Sequence, residues 1–155
     1  MIFFNSRAYL NGITKEFKVG IFGSRSLSDK RVNKIIEREL DKLNATAIIT
    51  TAEPKGVCQV AQKVAKEYAY PLNLHFINPQ YLAGAFEQRC KEVIEASDFI
   101  IFIHDGKSKG TINELNLYKK TGKPYHYEVL EVLEDSEIDI SVDTNEDIFD
   151  NALFF

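Results

Sequence analysis

The 155 residues, 45% hydrophobic and 27% charged, suit one globular domain whose core needs neither a disulfide nor a metal. No apolar run approaches the 18 residues of a transmembrane helix, and the start lacks a signal peptide's order, so we expect a cytoplasmic protein without membrane partners. All 19 Lys and Arg lie in residues 1–123, while residues 124–155 carry ten acids, an acidic end that argues against nucleic-acid binding.

The sequence between residues 16 and 77 predicts three strands separated by two helices. Residues 16–23 form a short apolar run that ends in glycine, which is typical of a buried strand. Ser28 or Asp29 can cap a helix that extends to about Leu43, because the apolar residues that follow have helical spacing. The next elements are a strand at 47–51, a helix at 56–68 and a strand at 72–77.

The second half of the chain continues this alternation. It predicts a helix at 81–96, an apolar and central strand at 99–103, a helix at 111–120 and a strand at 125–129. Gly122 ends the last helix. Alternating strands and helices predict a Rossmann-like α/β domain over residues 16–130, with three α/β/α layers and a mostly parallel, doubly wound sheet of about five strands.

Two extensions flank this domain, at residues 1–15 and 131–155. The second is acidic, which is typical of a disordered tail, but its last residues are apolar and aromatic. Because an undocked aromatic end would expose apolar surface, we expect it to dock on this domain or on a neighbouring chain. The prediction is a homodimer, and an interaction module that uses the tail is one hypothesis for function.

Ligands of parallel sheets bind at the carboxyl ends of the strands, where this sequence places small and polar residues. The first strand is followed by Gly23, Ser24 and Arg25, and an arginine can hold a phosphate with two parallel hydrogen bonds. The loop after the second strand offers Thr51, Lys55 and Gly56. The alternative interpretation of the first loop is a tight turn with a solvated arginine. The alternative for the second is an ordinary connecting loop.

The loop after the fourth strand is the most informative of the three. It contains Gly106, Ser108, Lys109, Gly110 and Thr111. The last two stand at the predicted start of a helix, where unpaired backbone N–H groups can hold a phosphate, and the lysine adds positive charge. The alternative is an exposed basic turn. The order of a Walker A loop is absent, so this is a different kind of phosphate site.

These segments together resemble the SLOG superfamily of Rossmann-like domains, in its YpsA-related branch. The resemblance covers residues 17–129 and rests on Gly23-Ser24-Arg25, Lys55-Gly56, Ala83-Gly84 with Arg89, Asp105-Gly106 with Ser108 to Thr111, and Gly122-Lys123-Pro124. It implies a nucleotide or nucleotide-derived ligand, often for sensing, and adds Arg89 to the ligand-binding residues. The sequence departs from the pattern at Thr51-Ala52, where the family has glycines, and at Cys58 and Cys90.

A local resemblance points to catalysis. The segment Gly110-Thr111-Ile112-Asn113-Glu114 matches the G-T-x-x-E pattern of cytokinin-activating phosphoribohydrolases and nucleoside deoxyribosyltransferases. The resemblance implies that Glu114 takes part in cleaving the bond between base and sugar, where a carboxylate can stabilise an oxocarbenium-like centre. Asp105 is a candidate second carboxylate by its placement. The alternative is that Glu114 is a solvated first-turn glutamate, favoured there by the helix dipole.

The remaining reactive residue types predict no further site. Three histidines lie on or at the ends of strands without shared spacing, so we expect no metal, and nothing indicates a cofactor. His104 alone should open onto the ligand cleft. Cys58 and Cys90 have no neighbouring base in the sequence and are expected to be buried helix residues. Three hypotheses therefore stand: nucleotide binding, N-glycosidic bond cleavage by Glu114, and interaction through the tail.

Overall fold

A computed structural model describes residues 16–133, and within them the alternation of strands and helices is as predicted. The strands are β1 (Lys18–Gly23), β2 (Ala47–Thr51), β3 (Leu72–His75), β4 (Phe99–His104) and β5 (Tyr125–Val129). The helices are α1 (Lys30–Leu43), α2 (Gly56–Glu67), α3 (Ala85–Ala96) and α4 (Lys109–Lys119). Residues 1–15 and 134–155 lie outside this description, and so does the predicted docking of the aromatic end.

All five strands are parallel and lie in the order β3-β2-β1-β4-β5. The strand order therefore reverses between β1 and β4, and this is where ligands of doubly wound sheets bind. The strand predicted to be central, β4, is flanked by β1 and β5, while β1 is the middle strand of the five. The predicted Rossmann-like α/β class is confirmed.

Helices cover both faces of the sheet because successive strand residues point to opposite faces. On one face, Ile21 of β1 packs in an apolar cluster with Ile36 of α1 and Val60 of α2. On the other face, the adjacent Phe22 packs with Val93 of α3 and Tyr118 of α4. Both strand residues are fully buried, which confirms the three-layer arrangement and explains why β1 is a continuous apolar run.

The helix predicted at 81–96 starts later than its sequence pattern indicated. Residues Pro79–Gly84 form a 3₁₀ helix, and α3 begins only at Ala85. The side chain of Asn78 caps the 3₁₀ helix by accepting a hydrogen bond from the Gln80 N–H at 3.0 Å. Leu82 then breaks the run with a φ of 49°. Local side-chain and backbone geometry thus overrides the helical spacing of the apolar residues.

Two glycines allow β1 and α2 to approach each other closely. A Cβ on Gly23 would overlap the side chain of Val57, and a Cβ on Gly56 would overlap the backbone of Arg25. Gly56 also has a φ of 76°, which disfavours any other residue. The Val57 N–H can therefore donate to the Ser24 carbonyl at 3.2 Å, which brings the start of α2 against the loop after β1.

The substitution Gly56→Ala should reduce the free energy of unfolding by about 3 kcal/mol, because it combines positive φ with backbone overlap. Gly122→Ala is the matched control. Its φ is 73°, but its Cβ would meet no atom within 4 Å, so only the backbone strain of about 1 kcal/mol applies. Urea denaturation of the two variants measures the difference, and equal losses would contradict the close approach.

Candidate functional site

The structure brings most of the predicted ligand-binding residues to one narrow cleft at the carboxyl ends of β1, β2 and β4. We name this cleft the cradle. Its lining comprises Gly23, Arg25, Thr51, Glu53, Lys55, Cys58, Arg89, Ser108, Gly110, Thr111 and Glu114. Its volume is about 20 Å³. Because a cavity needs about 10–15 Å³ to hold one water molecule, the cradle has room for little more than a single water.

The other predicted site residues lie beside the cradle rather than in its lining. Ser24 is 1% exposed, and its hydroxyl accepts a hydrogen bond from the Asp105 N–H at 3.0 Å. The same hydroxyl lies 3.5 Å from that of Thr111. Ser24 therefore connects the loops after β1 and β4. Gly56 provides the close approach described above, while Gly106 and Lys109 are exposed in the loop after β4 and at the start of α4.

The centre of the cradle is an ion-pair network around Glu53. Arg25 Nη2 lies 3.0 Å from one carboxylate oxygen of Glu53, and Arg89 Nη2 lies 2.6 Å from the other. The three side chains are 15%, 13% and 6% exposed, so water screens the network only weakly. The sequence patterns did not single out Glu53; its position two residues beyond β2, in the same loop as Thr51 and Lys55, is the signal that could have found it.

Arg89 is a buried arginine with one donor that has no acceptor among the described residues. Its guanidinium lies over the ring of Phe86, 5.3 Å from the centroid. One of its N–H groups bonds Glu53, but its buried Nε has no hydrogen-bond partner within the described part of the chain. A buried donor without an acceptor costs about 1–3 kcal/mol, so this atom can contribute to binding a ligand that supplies an oxygen.

The Asp105 side chain organises the loop after β4. One of its oxygens accepts hydrogen bonds from the N–H groups of Lys107 and Ser108, both at 2.8 Å, and the other accepts from the Ser26 hydroxyl at 2.6 Å. Burial alone would raise the pKa of this carboxyl, but the three hydrogen bonds outweigh it, so the pKa lies below its ordinary value of 3.8. Asp105 is thus an ionised, fully engaged carboxylate.

His104 lies under this loop and does not open onto the cleft as its sequence position predicted. The side chain is almost fully buried. Its Nε2 lies 2.9 Å from the Ser108 carbonyl oxygen, which can only accept, so Nε2 carries a proton. Its Nδ1 lies 2.8 Å from the Tyr127 hydroxyl. His104 therefore ties the loop to β5 instead of contacting a ligand.

Two helix N-termini open into the cradle without a side-chain cap. Lys55 precedes α2 and Ser108 precedes α4, and neither side chain makes a capping hydrogen bond. By contrast, the Asp29 carboxylate caps α1 by accepting from the Arg31 N–H at 2.9 Å. The first N–H groups of a helix carry a partial positive charge, so the α2 and α4 termini add to the attraction of the cradle for an anion.

Glu114 lies where the cradle meets a larger cleft between α3 and α4. This α3–α4 cleft has a volume of about 390 Å³, and its lining comprises Ala83, Phe86, Glu87, Cys90, Asn113, Glu114, Asn116, Leu117 and Lys120. Glu114 is 9% exposed, so it is not the solvated glutamate of the alternative interpretation. Burial, reinforced by the negative charge of Glu114, raises the pKa of Cys58 and Cys90, which keeps both thiols protonated.

A second cleft of about 400 Å³ adjoins the cradle on the side of β3. We name it the aromatic cleft, and its lining comprises Arg25, Ala52, Glu53, Pro54, Phe76, Ile77, Phe86 and Arg89. Phe76 is 66% exposed and Ile77 is 38% exposed. The cleft thus joins an apolar, partly aromatic surface to the arginine pair of the cradle.

No family model, curated protein or solved structure matches the chain. Within residues 16–133, no group of three or more His, Cys, Asp or Glu residues has an arrangement that could hold a metal ion. No helix among these residues has both the length and the apolar character needed to cross a membrane.

Replacing Asp105 with Asn should lower the free energy of unfolding by about 2 kcal/mol at pH 7, because a neutral amide accepts the three hydrogen bonds less well than the charged carboxylate does. The folded-state pKa of Asp105 is lowered, so its contribution is complete above pH 3.8 and disappears as pH falls through the folded-state value. The difference from the wild type should therefore shrink below about pH 4. Ser26→Ala, which removes one of the three bonds, should cost about 1 kcal/mol. Denaturant titrations between pH 3 and 7 test this, and a constant difference would contradict it.

Proposed function

We propose that the chain binds a nucleotide or a nucleotide-derived ligand, with a phosphate group in the cradle. One observation carries the proposal. Arg25 from the loop after β1 and Arg89 from α3 converge on a single carboxylate, in a cleft that two helix N-termini face. Guanidinium groups that converge on a carboxylate also suit a phosphate, since both anions accept parallel charge-assisted hydrogen bonds. The motifs that resemble the SLOG superfamily support the same ligand class and a role in sensing or processing it.

The aromatic cleft offers the base of this ligand a place next to its phosphate. Arg25 and Arg89 line both the cradle and the aromatic cleft, so a ligand held by these arginines can extend over the end of β2 toward β3. Phe76, which is 66% exposed, offers its ring there, and aromatic stacking on a base contributes about 1–3 kcal/mol. We therefore assign the phosphate to the cradle and the base to the aromatic cleft.

Cleavage of an N-glycosidic bond is the second candidate, and the placement of Glu114 favours it. This buried carboxylate lines both the cradle and the α3–α4 cleft, where the amides of Asn113 and Asn116 could bond a base or a sugar. In hydrolysis the bond between sugar and base breaks, water supplies a hydroxyl to the sugar and the base takes a proton. Asp105 is a poor second carboxylate, because three hydrogen bonds occupy its oxygens.

The binding proposal predicts that a nucleoside monophosphate stabilises the chain by about 2.7 kcal/mol at a hundredfold excess over Kd. Arg25→Ala, Arg89→Ala and Thr111→Ala should abolish the rise in melting temperature. Arg38→Ala is the matched control, because it removes one positive charge from α1, where Arg38 pairs with Glu39 and Glu128. A panel of nucleotides that gives no shift with the wild type would overturn the proposal.

Phe76→Ala tests where the base lies. It should weaken binding of a nucleoside monophosphate about tenfold, which corresponds to the loss of one stacking contact, and leave binding of inorganic phosphate unchanged. Asn116→Ala is the opposing control, because it alters the α3–α4 cleft instead. Titration calorimetry compares the two variants, and a loss confined to Asn116→Ala would move the base to the α3–α4 cleft.

The catalytic candidate predicts free base when the chain is incubated with nucleoside monophosphates, as chromatography would detect. Glu114→Gln preserves the size of the side chain but removes its charge, so it should lower the rate at least a hundredfold while nucleotide binding persists. A rate unchanged in Glu114→Gln would remove Glu114 from catalysis. If the wild type binds a nucleoside monophosphate but releases no base, the binding role stands and the glycosidase activity is refuted.

A further inference from the structure

The cradle already contains an anion, and this anion is part of the protein. The Glu53 carboxylate lies between Arg25 and Arg89, at 3.0 and 2.6 Å from their Nη2 atoms. The space left in the cradle is small, about 20 Å³. A phosphate can bond both Nη2 atoms only if the Glu53 carboxylate moves away from them.

We propose that Glu53 is an internal counter-anion that closes the cradle, and that a phosphate group binds by replacing its carboxylate between Arg25 and Arg89. The inference rests on the proposed function and identifies the residue that sets affinity at that site. The ligand class that it specifies is a phosphate monoester, whose terminal oxygens can accept the hydrogen bonds that Glu53 accepts in the closed form.

The side chain of Glu53 is the part of its loop that can move. The backbone of the loop is held at Thr51 and at Glu53 by Gln62, whose amide Nε2 donates to the Thr51 carbonyl at 3.1 Å and to the Glu53 carbonyl at 2.9 Å. Rotation about the side-chain bonds of Glu53 would carry the carboxylate into the aromatic cleft, which Glu53 also lines. The cradle can therefore open without rearrangement of the loop or of β2.

The exchange also satisfies a donor that Glu53 leaves without an acceptor. A carboxylate has two oxygens, and each is engaged by one arginine, while the buried Nε of Arg89 has no hydrogen-bond partner within residues 16–133. A phosphate monoester presents three charged oxygens in a tetrahedral arrangement, so it can accept from both Nη2 atoms and from Nε. The extra hydrogen bond favours phosphate over the internal carboxylate once the two compete.

The charge of Glu53 must therefore oppose the binding of phosphate. Glu53→Gln keeps the length of the side chain and removes the charge, and its amide cannot accept from both arginines. We expect inorganic phosphate, titrated by calorimetry, to bind this variant at least tenfold more tightly than it binds the wild type. Glu95→Gln on α3, an exposed position outside the cradle, makes the same change in net charge and should leave the affinity within about twofold.

A second variant and a second readout guard against a loss of folding in Glu53→Gln. Glu53→Asp retains the charge but is one methylene too short to reach both arginines, so its affinity for inorganic phosphate should lie between those of the other two proteins. In the wild type, saturating phosphate should shift the NMR resonance of the Arg89 Nε–H, because that group gains an acceptor. An unshifted resonance under saturation would overturn the exchange.

The outcomes separate this inference from the binding proposal. Equal phosphate affinity in the wild type and in Glu53→Gln, or weaker affinity in Glu53→Gln, would overturn the role of Glu53 as a competitor. Nucleotide binding by the wild type would then still stand, and Glu53 would be a residue that positions the arginines. Absence of phosphate binding by Glu53→Gln, together with a nucleotide panel that gives no shift, would overturn both.

Discussion

The parallel pairing of β1 with β4 is the constraint on which the site depends. It matches Val19 with Phe99 and continues to Gly23 with Ile103, so both strands end at the same level. Beyond the last pair, the Ser24 N–H still donates to the Ile103 carbonyl at 3.1 Å. Two loops about 80 residues apart along the chain are thereby joined, and the remaining contacts of the cradle assemble around them.

The elements of this fold could be predicted because their signals are local. The continuous apolar run of β1 and the helical spacing of α1 each lie within one short segment. The loops that line the cradle could be predicted for the same reason, since glycines, hydroxyl residues and lysines follow the strand ends directly. The delayed start of α3 could not, because it depends on the side chain of Asn78 and on the backbone of Leu82.

The role of Glu53 could not be predicted from the sequence, because its partners come from other parts of the chain. Arg25 precedes it by one helix and one strand, and Arg89 lies 36 residues beyond it. The charge distribution could not identify it either, because an excess of Lys and Arg in residues 1–123 does not show which acid lies between two arginines. The sequence also could not show whether Glu114 is exposed or buried, because its burial depends on how α3 packs beside α4.

The way the cradle joins distant segments has a consequence for folding. Glu53 and Arg89 are 36 residues apart, and the contact between Ser24 and Thr111 spans 87 residues. Contacts between residues so far apart along the chain must offset the entropy of closing a long loop, so they depend on the strands that bring their residues together. A partly folded chain would therefore carry no cradle at all, and any ligand that requires it would report on the cooperative folding of the whole sheet rather than on the order of a single loop.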